Sequence, residues 1–358
     1  MCTLCRYFAE ECDTLAGFHI LAHDCGAFGA LTEAVLTHIG DAYPGRPALL
    51  YSVRPPAVTA AVDAGAPRRR ALSEALALWK CASNVQVYAP LGCRSPATSL
   101  ASAFNIDDAQ PYHTAAPLAA AVDATSLAWR LARHYDGGCG VSEFGEALNL
   151  LSGGTAARPL VATSLAMPAA PLRRQPPPRG APPGATKPEA ASLDALLSLT
   201  DGMASPPEAP TYEAYSLRGM RFEDGTAADV DSVQMAMHYA LRASGTRCPR
   251  ALCATTARAP IPLAFPRILH PAPKGAARGG ARQCNPSEVG VMSRQCAADD
   301  FGPLLKRQAD SFRPMSGTAP SRALFAAWGL AQTDAEEAAD ALATLASSYL
   351  DAAVSDDD

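Results

Sequence analysis

Gly26-Ala27-Phe28-Gly29 is the stretch of this sequence best placed to hold an anion. It lies between an apolar run, Phe18 to Ala22, and a helical pattern that starts at Leu31. Backbone N–H groups at such a turn, aided by the dipole of the following helix, can cradle a phosphate. Gly26 and Gly29 are therefore the candidate cofactor-binding residues, at a degenerate phosphate-loop position. Phe28 and the spacing of the two glycines give less backbone access than a glycine-rich cradle. No Lys-Ser or Lys-Thr follows, so the segment is not a Walker A motif. An ordinary strand-to-helix turn accounts for the same residues.

Other reactive side chains do not assemble by spacing. Cys2 and Cys5 form one Cys-x-x-Cys, and His19 and His23 lie four apart. A zincin would need Glu after its first His, where Ile20 stands, and on a strand the two histidines sit about 13 Å apart. No metal is expected. Ser142 lacks the glycine that a nucleophile elbow places two residues later and reads as a helix cap. Asp300-Phe301-Gly302 has no catalytic-loop or glycine-rich partner upstream, so it is a chance match to the kinase tripeptide. No acid, base and nucleophile stand together, so no catalytic residue and no enzyme are expected.

The chain is 358 residues long with 48% hydrophobic residues, enough for two domains and a sizeable core. Its net charge of −5 argues against a nucleic-acid partner, which would meet a basic face. Arg68-Arg69-Arg70 and Arg173-Arg174 read as solvated loop. Eleven cysteines at irregular spacing, with no secretory leader, indicate reduced thiols in an intracellular compartment. The longest uncharged apolar stretch, Pro159 to Leu172, is too short to span a bilayer, so membrane contact is peripheral at most.

Three blocks follow along the chain. Residues 1–172 alternate strands and helices: helix Arg6–Leu15, strand Phe18–Ala22, helix Leu31–Ile39, strand Pro47–Val53, helices Ala71–Trp79, Ala115–Tyr135 and Ser142–Leu151, and strand Leu160–Leu165. Strands separated by helical crossovers predict a parallel sheet in a Rossmann-like α/β half-domain. Residues 173–210 are a Pro-rich linker or loop, with one helix-compatible island at Ala190–Leu199. Residues 211–358 form a second α/β domain. It carries helices at Asp229–Leu241 and Phe301–Phe312, a strand at Val289–Met292, and a terminal helix from Thr333 to about Ala353. Thr333 and Glu336 fit a capping box there, and an acidic tail follows.

Tyr7-Phe8-Ala9-Glu10-Glu11-Cys12-Asp13-Thr14-Leu15-Ala16-Gly17-Phe18 resembles the "EECD-x-L-x-GF" stretch of the Misato family, a relative of which precedes the glycine-rich phosphate loop of tubulins. The similarity runs on to Asp41-Ala42-Tyr43-Pro44-Gly45-Arg46. Ser216-Leu217-Arg218-Gly219 is similar to a family "LRG" segment, and Val289 to Cys296 fits its closing region. The resemblance implies a tubulin/FtsZ-like α/β fold ending in a C-terminal helix. It implies a non-enzymatic role in mitochondrial distribution, morphology, fusion or inheritance, exercised from the cytoplasm through protein partners at the mitochondrial surface. It also implies a start that lacks the family's first strand and glycine loop, and hence a marginally soluble chain. Near Glu143, α-tubulin-like subunits carry an acid that attacks a neighbour's nucleotide; here Glu143 reads as a helix-start carboxylate stabilised by the dipole. No cofactor is expected. The alternatives are a GTP-binding, polymerising tubulin relative and an unrelated α/β metabolic enzyme.

Overall fold

The computed structural model describes residues 2–54, 65–93, 104–107, 109–131, 138–139, 143–155, 157–175, 187–188, 193–269 and 286–350. In chain order these form α1 (Cys2–Glu11), β1 (Phe18–Ala22), α2 (Gly26–Ala42), β2 (Ala48–Arg54), α3 (Ala66–Ala82) and β3 (Val87–Gly92). Next come α4 (Pro111–Thr125), α5 (Leu127–Arg130), β4 (Gly138–Cys139), α6 (Phe144–Leu151) and β5 (Ala162–Ala166). Then β6 (Arg174–Gln175), β7 (Lys187–Pro188), β8 (Leu197–Ser198), β9 (Pro210–Arg218), α7 (Val230–Ala243) and β10 (Arg250–Thr255) follow. The last are β11 (Ala259–Pro260), β12 (Glu288–Val289), β13 (Val291–Ala298), α8 (Phe301–Ser316), α9 (Ala319–Ala327) and α10 (Gln332–Leu350).

β1, β2 and β3 form a three-stranded parallel sheet, with Phe18 opposite Ala48 and Leu49 opposite Val87. The expected parallel sheet is present, and the α/β architecture is compatible with a tubulin-like fold. β2 shows why it takes the centre. Its Ala48-Leu49-Leu50-Tyr51 run is buried on both faces, as a parallel strand covered by helices requires. Leu50 enters one core with Leu36, Leu72, Tyr88, Phe301 and Phe312. Leu49 and Tyr51 enter the other, with Leu91, Leu118, Phe144 and Leu148. This is the two-residue alternation of a strand.

A mixed six-stranded sheet, ordered β4-β10-β9-β13-β5-β8, carries the rest. The two sheets meet along the free edge of β3. Tyr88 bridges Leu160, and Val161 N–H donates to the Tyr88 carbonyl at 3.0 Å. Farther along, Leu91 bridges Thr200, and Asp201 N–H donates to the Pro90 carbonyl at 2.9 Å. β5, from the block 1–172, pairs with β13 on one side and with β8, from the stretch 173–210, on the other. α3, α8 and α10 pack together on one face, and α4 and α6 lie on the other.

Several elements differ from the sequence-based expectation. α2 begins at Gly26 rather than Leu31, so both candidate glycines lie in its first turn. Ala190–Leu199 is not a helix among the described residues. From Leu193 on it is a turn leading into β8, and Leu196 and Leu199 are buried under the sheet. The helix from Ala115 breaks at Ser126 between α4 and α5. α10 starts one residue early, and the carboxylate of Asp334, not Glu336, reaches back to the Ala331 N–H at 2.7 Å. Ser142, residues 176–192 except Lys187 and Pro188, and the acidic tail lie outside the described residues. Among the described residues no helix is long and apolar enough to cross a membrane.

Candidate functional site

The carboxyl ends of β1, β2 and β3 converge on one buried guanidinium. Arg54 closes β2, Tyr88 lies in β3, Asp24 follows β1, and Asp201 is docked against the end of β3 by its backbone bond to Pro90. Arg54 grips Asp24 with two parallel bonds, Nε to Oδ1 at 3.0 Å and Nη2 to Oδ2 at 2.7 Å. Its Nη1 donates to Asp201 Oδ2 at 3.0 Å, and Nη2 also donates to the Tyr88 hydroxyl at 2.8 Å. The Tyr88 hydroxyl in turn donates to Asp24 Oδ2. Gly92 leaves the room: a Cβ there would lie 2.7 Å from Asp201 Oδ1.

All three charged side chains are withdrawn from water, with exposures of 8% for Arg54, 0% for Asp24 and 4% for Asp201. Burial alone would raise the Asp24 pKa. The charge of Arg54, with hydrogen bonds from Arg54 and Tyr88, outweighs it and holds the carboxyl well below the usual carboxylate range. Burial and the neighbouring Asp24 push the Tyr88 phenol well up. Cys25 donates its thiol to Asp24 Oδ1 at 3.3 Å, and burial with that carboxylate pushes it up to about 12. A thiol so held stays protonated at neutral pH and is no nucleophile.

This is where an open α/β sheet places an anionic ligand, outside the carboxyl ends of its strands and beside a helix start. Here the position of the anion is taken by the chain's own Asp24. The candidate glycines follow Asp24 in the chain, and neither N–H reaches its carboxylate. The Gly26 N–H, with φ of +64°, donates to Ser73 Oγ at 2.7 Å, and the Gly29 N–H turns back to the Cys25 carbonyl at 3.3 Å. Arg54 also lines two clefts. One, of about 330 Å³, is bounded by Glu74, Tyr88, Asp201 and Phe312. The other, of about 400 Å³, is bounded by His23, Gly26, Arg69, Arg70, Ser73 and Trp328.

The remaining candidates scatter. His19 packs its ring against Tyr51 at 5.1 Å, and burial lowers its pKa. His23 sits against Phe28. Among the described residues no three metal-ligating side chains converge. Glu143 is exposed at the N-cap of α6, with no side-chain capping bond. Phe301 is buried in the core and Gly302 abuts Leu350, so the Asp300-Phe301-Gly302 tripeptide serves packing. The Arg54 cluster had one sequence signal: opposite charges, Asp24 and Arg54, directly past two apolar runs that pair as neighbours.

No protein-family model matches the chain. Over 138 residues, 36% of the chain, it is 31% identical to "Protein misato homolog 1" of Danio rerio. The matched stretch is Misato-like. A second match, 25% identical over 126 residues and 35% of the chain, is to "Protein DML1" of Gibberella zeae. The Misato-like similarity covers 22% of the zebrafish protein and 24% of the fungal one, so the chain spans under a quarter of the length of the curated relatives it matches. The Misato-like chain carries its α/β sheet and its buried arginine cluster together.

Proposed function

We propose that this chain is a non-enzymatic, tubulin-like factor of mitochondrion organisation, acting from the cytoplasm through protein partners at the mitochondrial surface. The Misato-like similarity supports the cellular role. The observation that carries the non-enzymatic part is the engagement of Arg54 by Asp24, Asp201 and Tyr88. A guanidinium already bound to two carboxylates and a phenol has little left for a transferred phosphate, and a triphosphate would have to displace buried, paired charges. Depleting the full-length gene product should fragment or cluster mitochondria in live imaging without abolishing a metabolic reaction. Normal networks after complete depletion would end this reading.

One observation favours a second reading, a GTP-binding polymerising relative. The 400 Å³ cleft joins Arg69, Arg70, Ser73 and the start of α2 to an aromatic ring, Trp328. Equilibrium dialysis with labelled GTP and magnesium separates the two. The first reading expects no binding at micromolar GTP. Micromolar binding that Arg69→Gln weakens at least about tenfold, the loss of one charge-assisted contact, would establish the second.

A further inference from the structure

α7, β10 and the turn between them line a groove of about 780 Å³. Its inner wall is apolar: Met237 is buried, and Leu241 and Leu252 are partly buried. Its rim carries Arg242, Arg247 and Arg250, and among the described residues no aspartate or glutamate lines it. Arg250 pairs with Glu213 at 2.6 Å, but that carboxylate is also held by Arg294 at 2.7 Å, so one buried negative charge is shared by two guanidiniums. Arg242 and Arg247 are exposed, and no carboxylate among the described residues pairs with them. The end of α7 contributes only about half a negative charge. The groove is thus positive in a chain whose net charge is −5.

Cations around a recessed apolar floor suit a chain that alternates acidic and apolar side chains. A membrane offers a plane, which reaches a rim but not a floor. Nucleic acid offers phosphates but would leave the floor unfilled. We propose that this groove docks an acidic peptide segment of a partner protein, its carboxylates pairing with Arg242 and Arg247 while an apolar side chain enters between Met237, Leu241 and Leu252. This rests on the partner-binding reading above and names its surface. The test uses purified components, so it can fail while the imaging result stands, or the reverse.

The probe is a fluorescein-labelled peptide of repeated Glu-Glu-Leu, followed by anisotropy against the full chain. Binding should weaken at least about tenfold in Arg242→Glu/Arg247→Glu, as charge reversal turns attraction into repulsion. It should also weaken with rising salt and in an all-glutamate peptide. Both substituted side chains are exposed, so the thermal melt should stay cooperative and fall by no more than a few degrees, the cost of a carboxylate in the last turn of α7, and report a folded variant. No peptide binding by the parent chain, or equal binding by the double variant, overturns the proposal. Capture by phosphatidylserine vesicles or single-stranded DNA in place of the peptide overturns it as well.

Discussion

Arg54→Met should destabilise the fold by about 3–5 kcal/mol, because it leaves Asp24 and Asp201 buried without their cation. Methionine keeps most of the arginine stem, so the loss is one of charge and hydrogen bonds rather than volume. In a thermal melt that corresponds to a fall on the order of 5–10 °C. The pH dependence carries the signature. In the parent, the folded-state pKa of Asp24 is depressed, so its contribution is complete above the unfolded value of about 3.9 and is lost as pH falls toward the lower folded value. In the variant, burial is opposed only by neutral hydrogen bonds such as that of Tyr88 and the folded pKa is raised, so the penalty grows as pH rises above about 4 and fades below it. Urea melts at pH 7 and pH 4 should therefore show a gap that is widest at neutral pH and narrower at pH 4, where the variant's penalty has faded while most of the parent's contribution remains. A gap independent of pH would mean that Arg54 acts through packing.

Gly29→Ala should cost about 3 kcal/mol or more, and Gly26→Ala only about 1–2 kcal/mol. A Cβ on Gly29 would lie 2.3 Å from the Asp24 carbonyl oxygen and 2.8 Å from its carbon, both backbone atoms that cannot swing away. The segment carrying Asp24 would have to move, and the carboxylate with it, out of the Arg54 fork. A Cβ on Gly26 meets nothing within 4 Å, and only its left-handed φ of +64° is strained. Urea midpoints of the two variants decide it; equal losses would show that the close approach at Gly29 is not what holds the loop. A Gly29 variant that fails to bind a nucleotide would accordingly report a displaced loop rather than a missing phosphate contact.

The two glycines also show how far the sequence could be read. Their position between a strand and a helix was legible, because Phe18–Ala22 and the apolar residues of α2 keep different periods. Their purpose was not, since what Gly29 makes room for is the backbone of Asp24, and nothing local says how closely the helix start approaches it. β1 and β2 were legible as apolar runs. β3 was not, because Pro90 interrupts Val87–Gly92 and argues against a central strand; in the fold its carbonyl is used and its missing N–H is not needed. Alanine blurred the rest. The run from Ala190 to Leu199 satisfies a helical pattern equally well, and only the pairing of Leu197 and Ser198 with β5 makes it sheet. The groove arginines lay in a short polar stretch whose charges gain meaning only once α7 and β10 stand side by side.

The seam at β3 bears on how a ribosome can deliver this molecule. β5 is synthesised well before its partner β13, with more than a hundred residues emerging between them. Until β13 arrives, the strand that joins the parallel sheet to the mixed one has an open flank, and Leu165 and Val161 lack their cover. Closure of so distant a pairing is slow by its topology. The nascent chain therefore spends that interval with an adhesive edge at its middle, a natural point for a chaperone to hold, and its architecture is completed from the centre outward only when β13 has left the exit tunnel.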